Sequence, residues 1–253
     1  NVWTTSPLNE KWVPVAKPLS DYLQWIDAQL LHMWDVNYRV LLETLKLGTG
    51  IYKTGWRYEM HRNVHGYDAN GTRQTGIRTI NQPWVDQVHL ANFFLPAESR
   101  AIDPDAQGGA PWVAERHRFR PEQLRSLARA QEPFASNFDA DAVTLVLSGD
   151  ETSKTDYDQT VDSLDSLDDG ISTAWRRPIE IFEIDARFDT TGNGEEDDIV
   201  ALFHVKTLGL LRATYEPLGY RPYSAIRYLR GDGFYGIGLA EQPQMWQDVQ
   251  SQL

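Results

Sequence analysis

"RPIEIFEIDARFD" (residues 177–189) alternates apolar and polar side chains at a period of two, which is typical of a half-buried β-strand. "DIVALFHVKT" (198–207) alternates in the same way, and the Gly-rich acidic turn between the two stretches predicts a hairpin. "GLLRATYEP" (209–217) predicts a third strand and "PYSAIRYL" (222–229) a fourth. We therefore predict an antiparallel β meander in the C-terminal part of the chain.

A long helix is predicted near the N-terminus. Residues 21–47 contain no Pro or Gly, and Ser20 is expected to cap the helix. The Pro-containing residues 1–19 predict an irregular arm. Apolar side chains occupy several faces of the predicted helix, so we expect its burial by its own domain or by a neighbouring subunit. Gly48 is expected to end the helix.

The middle of the chain predicts further strands and a short helix. Ile51 to Met60 and Gln87 to Leu95 predict strands, with a tight turn at Asn70-Gly71 between them. Pro121 is expected to open a short helix. Helices combined with antiparallel strands make the predicted fold class α+β.

The composition excludes several classes of protein. The chain of 253 residues has a net charge of −12, which disfavours tight non-specific binding to DNA phosphates but is compatible with a locally basic face. It contains no Cys, so disulfides and thiolate metal sites are excluded. No run of about 20 apolar residues predicts a transmembrane helix, and no signal-peptide pattern is present. Because the chain begins with Asn1 and a predicted helix still continues at Leu253, we expect the protein in the cell to be longer.

One stretch is strongly acidic. Residues 150–169 contain eight acidic side chains and one Lys. Such a segment is expected to be a solvated or mobile loop.

The stretch "GDGFYGIG" (231–238) contains a GxGxxG pattern. A dinucleotide-binding loop follows the first strand of a βαβ unit, whereas this one follows a predicted antiparallel meander. An Arg-Gly-Asp triplet overlaps it, but such triplets are common by chance. We expect instead a structural elbow before a final helix, where glycines allow positive φ and close backbone approach. The elbow glycines are Gly231, Gly233, Gly236 and Gly238.

Two other patterns resemble ligand sites only in part. "GTGIYKT" (48–54) resembles the end of a phosphate-binding P-loop, but Tyr52 stands where Gly is required and the loop follows a helix. His61 and His65 have the spacing of metal ligands on a helix, but they lie between a predicted strand and a turn. Ordinary structure is the favoured interpretation of both patterns.

"DTTGNGEEDD" (189–198) resembles a calcium loop, with Asp189, Asn193 and Asp197 at positions for oxygen ligands. The last position, normally a bidentate Glu, is Val200, and predicted strands rather than helices flank the loop. A hairpin turn with solvated acids is favoured, and the three residues stay weak candidates for a cation. We predict no metal and no cofactor.

The basic residues cluster in "ERHRFRPEQLRSLAR" (115–129). The cluster consists of Arg116, Arg118, Arg120, Arg125 and Arg129. These side chains can meet phosphates or the carboxylates of a neighbouring chain. The alternative is a solvated helix face with local ion pairs.

No catalytic constellation is evident. The sequence has no GxSxG or SxxK motif and no Cys nucleophile, and no pair of acids stands out for glycosidic chemistry. We therefore predict that the chain is not an enzyme.

Four segments, taken in order, resemble the portal proteins of tailed bacteriophages. They are a helix-then-strand segment at 41–59, a stretch containing "APWVAER" within 88–119, a meander with an acidic turn at 179–228, and a Gly-rich elbow with a Gln-rich helix at 231–253. The resemblance depends on the order of these segments over about three quarters of the chain.

The resemblance implies that residues 1–230 form a portal-like wing with a long N-terminal helix and an antiparallel β meander. The acidic stretch 133–170 would be an insertion, and residues 231–253 would form the elbow and the start of the first stem helix. Clip and crown would be absent from this chain. Three polar side chains on the stem helix would lie near the channel or a neighbouring subunit: Gln244, Gln247 and Gln250.

Portal proteins form twelve-subunit rings at one capsid vertex of virions assembled in the host cytoplasm. The implied partners are further copies of the chain, the major capsid protein, terminase, head–tail adaptor proteins and the double-stranded DNA that passes through the channel. No membrane partner is implied. The terminase hydrolyses ATP, so the resemblance implies no catalytic centre in the portal itself.

The alternative is an extracellular carbohydrate-binding or glycoside-processing domain. Nine Trp, eleven Tyr, an acidic composition and the calcium-like loop would suit it. However, Trp25, Trp34 and Trp246 stand on predicted helices at apolar spacing, which favours a core or an interface over a sugar platform.

Overall fold

The computed structural model describes residues 4–67, 73–129, 138–148, 178–216, 219–239 and 241. The chain divides into two compact units, one formed by Asn1–Leu90 with Pro222–Leu253 and the other by Ala91–Arg221. Several expected features lie outside the described residues, namely the Asn70-Gly71 turn, the acidic stretch 150–169 and the stem-helix residues Gln244, Gln247 and Gln250.

The described residues form four α-helices and ten β-strands, and the predicted α+β class is confirmed. The helices are α1 (Val13–Trp25), α2 (Met33–Leu47), α3 (Pro121–Arg129) and α4 (Ala140–Ser148). The strands are β1 (Thr49–Tyr67), β2 (Arg73–Val88), β3 (Phe93–Phe94), β4 (Trp112–Phe119), β5 (Ile179–Phe188), β6 (Asp197–His204), β7 (Gly209–Tyr215), β8 (Tyr223–Arg227), β9 (Leu229–Arg230) and β10 (Gly236–Ile237). All named strand pairs are antiparallel.

The long N-terminal helix begins earlier than expected. Pro14 lies in the first turn of α1, where a missing N–H costs no hydrogen bond, so this Pro does not enforce the irregular arm predicted there. Ser20 is not a cap, because its Oγ lies within α1, donates to the Ala16 carbonyl (3.0 Å) and accepts from the Thr5 N–H (2.9 Å).

The helix is also interrupted. A π-helical turn (Ile26–Leu30) follows α1, and His32 adopts a left-handed conformation with φ 49° and ψ 43° before α2 begins. His tolerates this conformation better than most residues, which explains how a break occurs without Gly or Pro. Gly48, with φ 81° and its N–H donating to the Thr44 carbonyl (2.8 Å), ends α2 as predicted.

The first unit contains a three-stranded sheet in the order β2-β1-β8. Strand β8 pairs only with Thr49–Lys53 of β1, so the hairpin of β1 and β2 continues from Thr54 onward as a two-stranded ribbon. The strand predicted at Ile51–Met60 is confirmed and is longer. The strand expected from Gln87 to Leu95 is broken by a 3-10 turn, because the Leu90 N–H donates to Glu43 Oε1 (2.8 Å) rather than to a strand.

The second unit contains a five-stranded sheet in the order β3-β4-β5-β6-β7. The three strands predicted from 177–217 form the meander β5, β6 and β7. The fourth predicted strand, at 222–229, does not join it, because β8 pairs with β1 in the first unit.

The hydrophobic core of the second unit lies between the five-stranded sheet and helices α3 and α4. It is made of Leu124, Val143, Val146, Ile181, Leu202 and Leu211. The helix predicted at Pro121 is confirmed. Helix α4 falls within the stretch 133–170, for which an acidic loop is expected, and its Val143 and Val146 enter the core because they face the sheet together with Leu211.

Candidate functional site

The Gly-rich elbow folds against the end of α2 within the first unit. The Gly236 N–H donates to Thr49 Oγ1 (2.7 Å), and the Leu239 N–H donates to the Leu45 carbonyl (2.8 Å). The Tyr228 N–H donates to the Gly48 carbonyl (2.9 Å). The elbow is therefore attached to the helix end through backbone contacts.

The four elbow glycines do not share one role. None of Gly231, Gly233, Gly236 and Gly238 has a positive φ, so that part of the expectation is wrong. Close approach is the reason for two of them: a Cβ on Gly236 would overlap the Gly48 carbonyl, and a Cβ on Gly238 would overlap the Lys46 carbonyl. A Cβ on Gly231 would come within 3.2 Å of the Tyr235 carbonyl, and one on Gly233 would meet nothing.

Helix α2 has two apolar faces, and only one of them is covered. Val36, Val40 and Thr44 are buried against the first unit. The opposite face carries large exposed side chains that follow one another at intervals of four, three and four residues, and Trp34 among them is 81% exposed. We call this face the α2 stripe: Trp34, Tyr38, Leu41 and Leu45.

Helix α1 is still more exposed, since none of its residues is buried. Large apolar side chains follow one another along it at spacings of three and four. We call this set, which includes one residue just before the helix, the α1 stripe: Trp12, Val15, Leu19, Tyr22 and Trp25. The rings of Tyr22 and Trp25 stack with centroids 6.2 Å apart. Trp25 and Trp34 are thus not core residues of this chain, while Trp246 lies outside the described residues.

The predicted basic cluster is divided by the structure. Arg116 is only 8% exposed, and its guanidinium donates to Asn92 Oδ1 at 3.0 Å and 2.9 Å. Arg116 and Arg118 both approach Glu180 Oε1, at 3.7 Å and 3.6 Å. Local ion pairs therefore engage this part of the cluster. Arg120 and Arg125 are exposed, and the side chain of Arg129 lies outside the described part of the chain.

The calcium-like loop is organised around Asp189. Asp189 Oδ1 accepts N–H groups of Thr191 (3.1 Å) and Gly192 (2.6 Å), and Oδ2 accepts from the Gly194 N–H (2.8 Å). These bonds, led by that from Gly194, lower the pKa of the Asp189 carboxyl.

The backbone donors thus occupy both oxygens that a cation would use. The other two candidate ligands have local partners as well, since Asn193 Oδ1 accepts from the Glu195 N–H (2.8 Å) and Asp197 Oδ2 accepts from the Thr190 hydroxyl. The arrangement is that of a turn whose acidic side chains stabilise its own backbone.

The structure also shows a cluster that the sequence did not predict. His117 Nε2 lies 2.7 Å from Glu183 Oε2 and 3.6 Å from Glu115 Oε2. The "ExH" pattern at 115–117 places Glu115 and His117 on one face of β4. No local signal indicated that Glu183, from a distant strand, would lie opposite them.

An arginine clamp is a second unpredicted feature of the same unit. The Arg221 guanidinium donates to the carbonyls of Ile102 (2.6 Å), Ala110 (2.6 Å) and Pro111 (2.7 Å). Beside it, Arg187 pairs with Asp105 and Asp198, and its hydrogen bond lowers the pKa of the Asp105 carboxyl. The clamp holds the loop before β4 in place.

Comparison with known proteins adds no assignment. No model of a known protein family matches the sequence, and no curated protein matches it either. Among the described residues, no helix is long and apolar enough to cross a membrane.

Proposed function

We propose that the chain is the wing region of a portal subunit, which assembles with further copies into a ring at one capsid vertex of a tailed bacteriophage. The observation that carries the proposal is the pair of uncovered apolar stripes on α1 and α2. The order of the four portal-like sequence segments supports it as well.

The physical argument begins with α1. An isolated helix of 13 residues is marginal in water, because most helical stability in proteins comes from packing an apolar face. The described part of the chain buries no residue of α1, so in this proposal a partner surface stabilises the helix. The 4-3-4 spacing of the α2 stripe suits packing against another helix. A second copy of the chain in a closed ring supplies such a surface.

The charge of the chain suits a channel through which DNA must slide. A net charge of −12 leaves little excess cationic surface to hold phosphates tightly. In this proposal the elbow leads toward the stem, and the ring contacts the major capsid protein, terminase, head–tail adaptors and double-stranded DNA in the virion. The chain has no catalytic role in this proposal.

The assembly state tests the proposal directly. The protein expressed from its complete gene is examined by mass photometry and by negative-stain electron microscopy. Ring particles with a central hole are the expected result. A monodisperse monomer across the accessible range of concentrations and salt would overturn the proposal.

A matched pair of variants connects the ring to the α2 stripe. The double variant L41A/L45A removes exposed apolar surface and is expected to abolish rings while leaving the monomer folded. K46A is the control, because Lys46 is exposed on the same helix but lies outside the stripe. Loss of rings in both variants, or in neither, would contradict an interface at the stripe.

One observation favours the carbohydrate-binding alternative. Trp56 is 65% exposed on the two-stranded ribbon, and its indole N–H donates to Asn81 Oδ1 (2.6 Å), which fixes the ring as a flat apolar surface. Such a ring can stack on a sugar. Binding of soluble oligosaccharides that is lost in W56A, combined with a monomeric state, would support this alternative over the portal.

A further inference from the structure

We propose that Glu115, His117 and Glu183 form a binding site for a divalent transition-metal ion, with Zn²⁺ as its preferred occupant. Glu115 of β4 stands directly opposite Glu183 of β5 in the antiparallel register, and His117 lies two residues further along β4. Positions two apart on a strand share a face, so all three side chains project from the same side of the sheet.

The ligand atoms are already close to the spacing that a metal requires. One oxygen from each carboxylate and an imidazole nitrogen lie within 4.8 Å of one another, and His117 Nε2 is 2.7 Å and 3.6 Å from the two oxygens. Ligands about 2.0–2.2 Å from a tetrahedral zinc ion are about 3.3–3.6 Å apart. Small side-chain rotations therefore admit the ion without moving either strand.

Electrostatics favours a cation at this position. Two carboxylates directly opposite each other on neighbouring strands repel when both are ionised. The His117 imidazole stands between Glu115 and Glu183 and contacts both through one nitrogen. A divalent ion bound to that nitrogen and to both carboxylates would offset this repulsion.

The donor set selects the type of metal. One imidazole nitrogen with two carboxylate oxygens suits Zn²⁺, whose sites with three protein ligands keep a fourth position open for water. Ca²⁺ and Mg²⁺ prefer sites made of oxygens alone. Affinity for nitrogen and oxygen ligands peaks at Cu²⁺, so Zn²⁺ is favoured here by four-coordinate geometry and ligand type rather than by affinity alone.

The site is both held in place and accessible. Strands β4 and β5 lie inside the five-stranded sheet, and the Phe119 ring packs 5.9 Å from the His117 ring. The side chain of His117 is 26% exposed, whereas those of Glu115 and Glu183 are 12% and 21% exposed. Solvent therefore reaches the imidazole, so that an ion can enter and water can complete its coordination.

Isothermal titration calorimetry with zinc chloride tests the site on chelator-treated protein. The wild type is expected to bind one zinc ion per chain at this site. Loss of a residue that only hydrogen-bonds to a metal ligand costs about 10–100-fold in metal affinity, so removing a ligand itself in H117Q or E183Q is expected to weaken binding by more than that. E180Q is the control, since Glu180 stands on the same strand but pairs with arginines on the other face.

A second measurement guards against variants that lose affinity only because they unfold. In the wild type, the side-chain nitrogen resonances of His117 are followed by NMR during the zinc titration, and Nε2 is expected to shift more than Nδ1. Circular dichroism of the metal-free variants reports their folding. Absence of zinc binding by the wild type, an unperturbed His117, or equal affinity of E180Q and a folded E183Q would overturn the proposal.

Discussion

Gly236 and Gly48 lie backbone against backbone, and neither position has room for a side chain. The adjoining hydrogen bond from the Gly236 N–H to Thr49 Oγ1 joins residues 187 positions apart in sequence. The end of α2 and the elbow are thereby fixed to each other within the first unit.

We predict that G236A destabilises the first unit. The added methyl group would overlap the Gly48 carbonyl and stand 2.7 Å from the Leu229 carbonyl, and neither backbone group can turn aside. Overpacking of this kind costs about 1–3 kcal/mol. Urea unfolding monitored by circular dichroism measures the loss.

G233A is the matched control for the elbow. A Cβ on Gly233 would meet no atom within 4 Å, and Gly233 has no positive φ. Its free energy of unfolding is expected to change by less than about 0.5 kcal/mol. Equal losses in G233A and G236A would show that flexibility, rather than close approach, explains the glycines.

Local sequence patterns predict those parts of the fold, such as strands and helix ends, that are determined by residues close together in the sequence. The period-two alternation at 177–217 identified three strands of the meander, and Gly48 was correctly expected to end α2. The break at His32 could not be predicted, because the sequence there contains neither Gly nor Pro. Strand β8 was misplaced for a different reason: periodicity identifies a strand but not the strand that pairs with it.

The candidate sites show the same limit. Proximity in sequence groups Arg116 and Arg118 with three other arginines, yet Glu180 engages both from another strand. Glu183 contacts His117 although the two residues are 66 positions apart in sequence. Pairings between side chains of distant strands depend on sheet register, which local composition does not encode.

We predict that Asp189 makes the stability of the folded protein decrease at acidic pH. Its pKa is lowered in the folded state, first by the Gly194 N–H, so its contribution is complete above the unfolded pKa of about 3.9 and is lost as pH falls through the lower folded pKa. D189N should therefore melt at a lower temperature than wild type at pH 7. The difference should shrink below about pH 4.

Calcium is the control ligand for the Asp189 turn. Because N–H groups already occupy its carboxylate oxygens, calcium is expected to leave the melting temperature of the wild type unchanged. A large calcium-dependent rise that disappears in D189N would show instead that the loop opens to hold a cation.

His204 is predicted to make the second unit sensitive to mildly acidic pH. Burial, followed by the charge of Lys206, lowers its pKa in the folded state. A lowered His pKa means that stability is complete above the unfolded pKa of about 6.5 and falls as pH drops below it. The melting temperature of H204Q should decline less between pH 7 and pH 5 than that of wild type.

H32N is the control for this pH dependence. His32 is exposed and left-handed, and Asn accepts that backbone conformation. The variant should retain the decline of the wild type. If H204Q and H32N both follow the wild-type curve, another group is responsible for the pH dependence.

We predict that the stability contributed by the arginine clamp depends on the planar guanidinium of Arg221, which carries several N–H donors, rather than on its charge alone. Its three bonds to the carbonyls of Ile102, Ala110 and Pro111 are 2.6–2.7 Å long. Hydrogen bonds from a charged donor contribute about 1.5–3 kcal/mol each, and the three share one anchor, so R221M is expected to lose about 2–4 kcal/mol in urea unfolding. R221K should recover only part of this loss, because one ammonium group cannot span three carbonyls. R125M is the control, because Arg125 is exposed on α3, and its free energy of unfolding should change by less than about 0.5 kcal/mol. If R221K recovered all of the stability lost in R221M, charge alone would hold the loop.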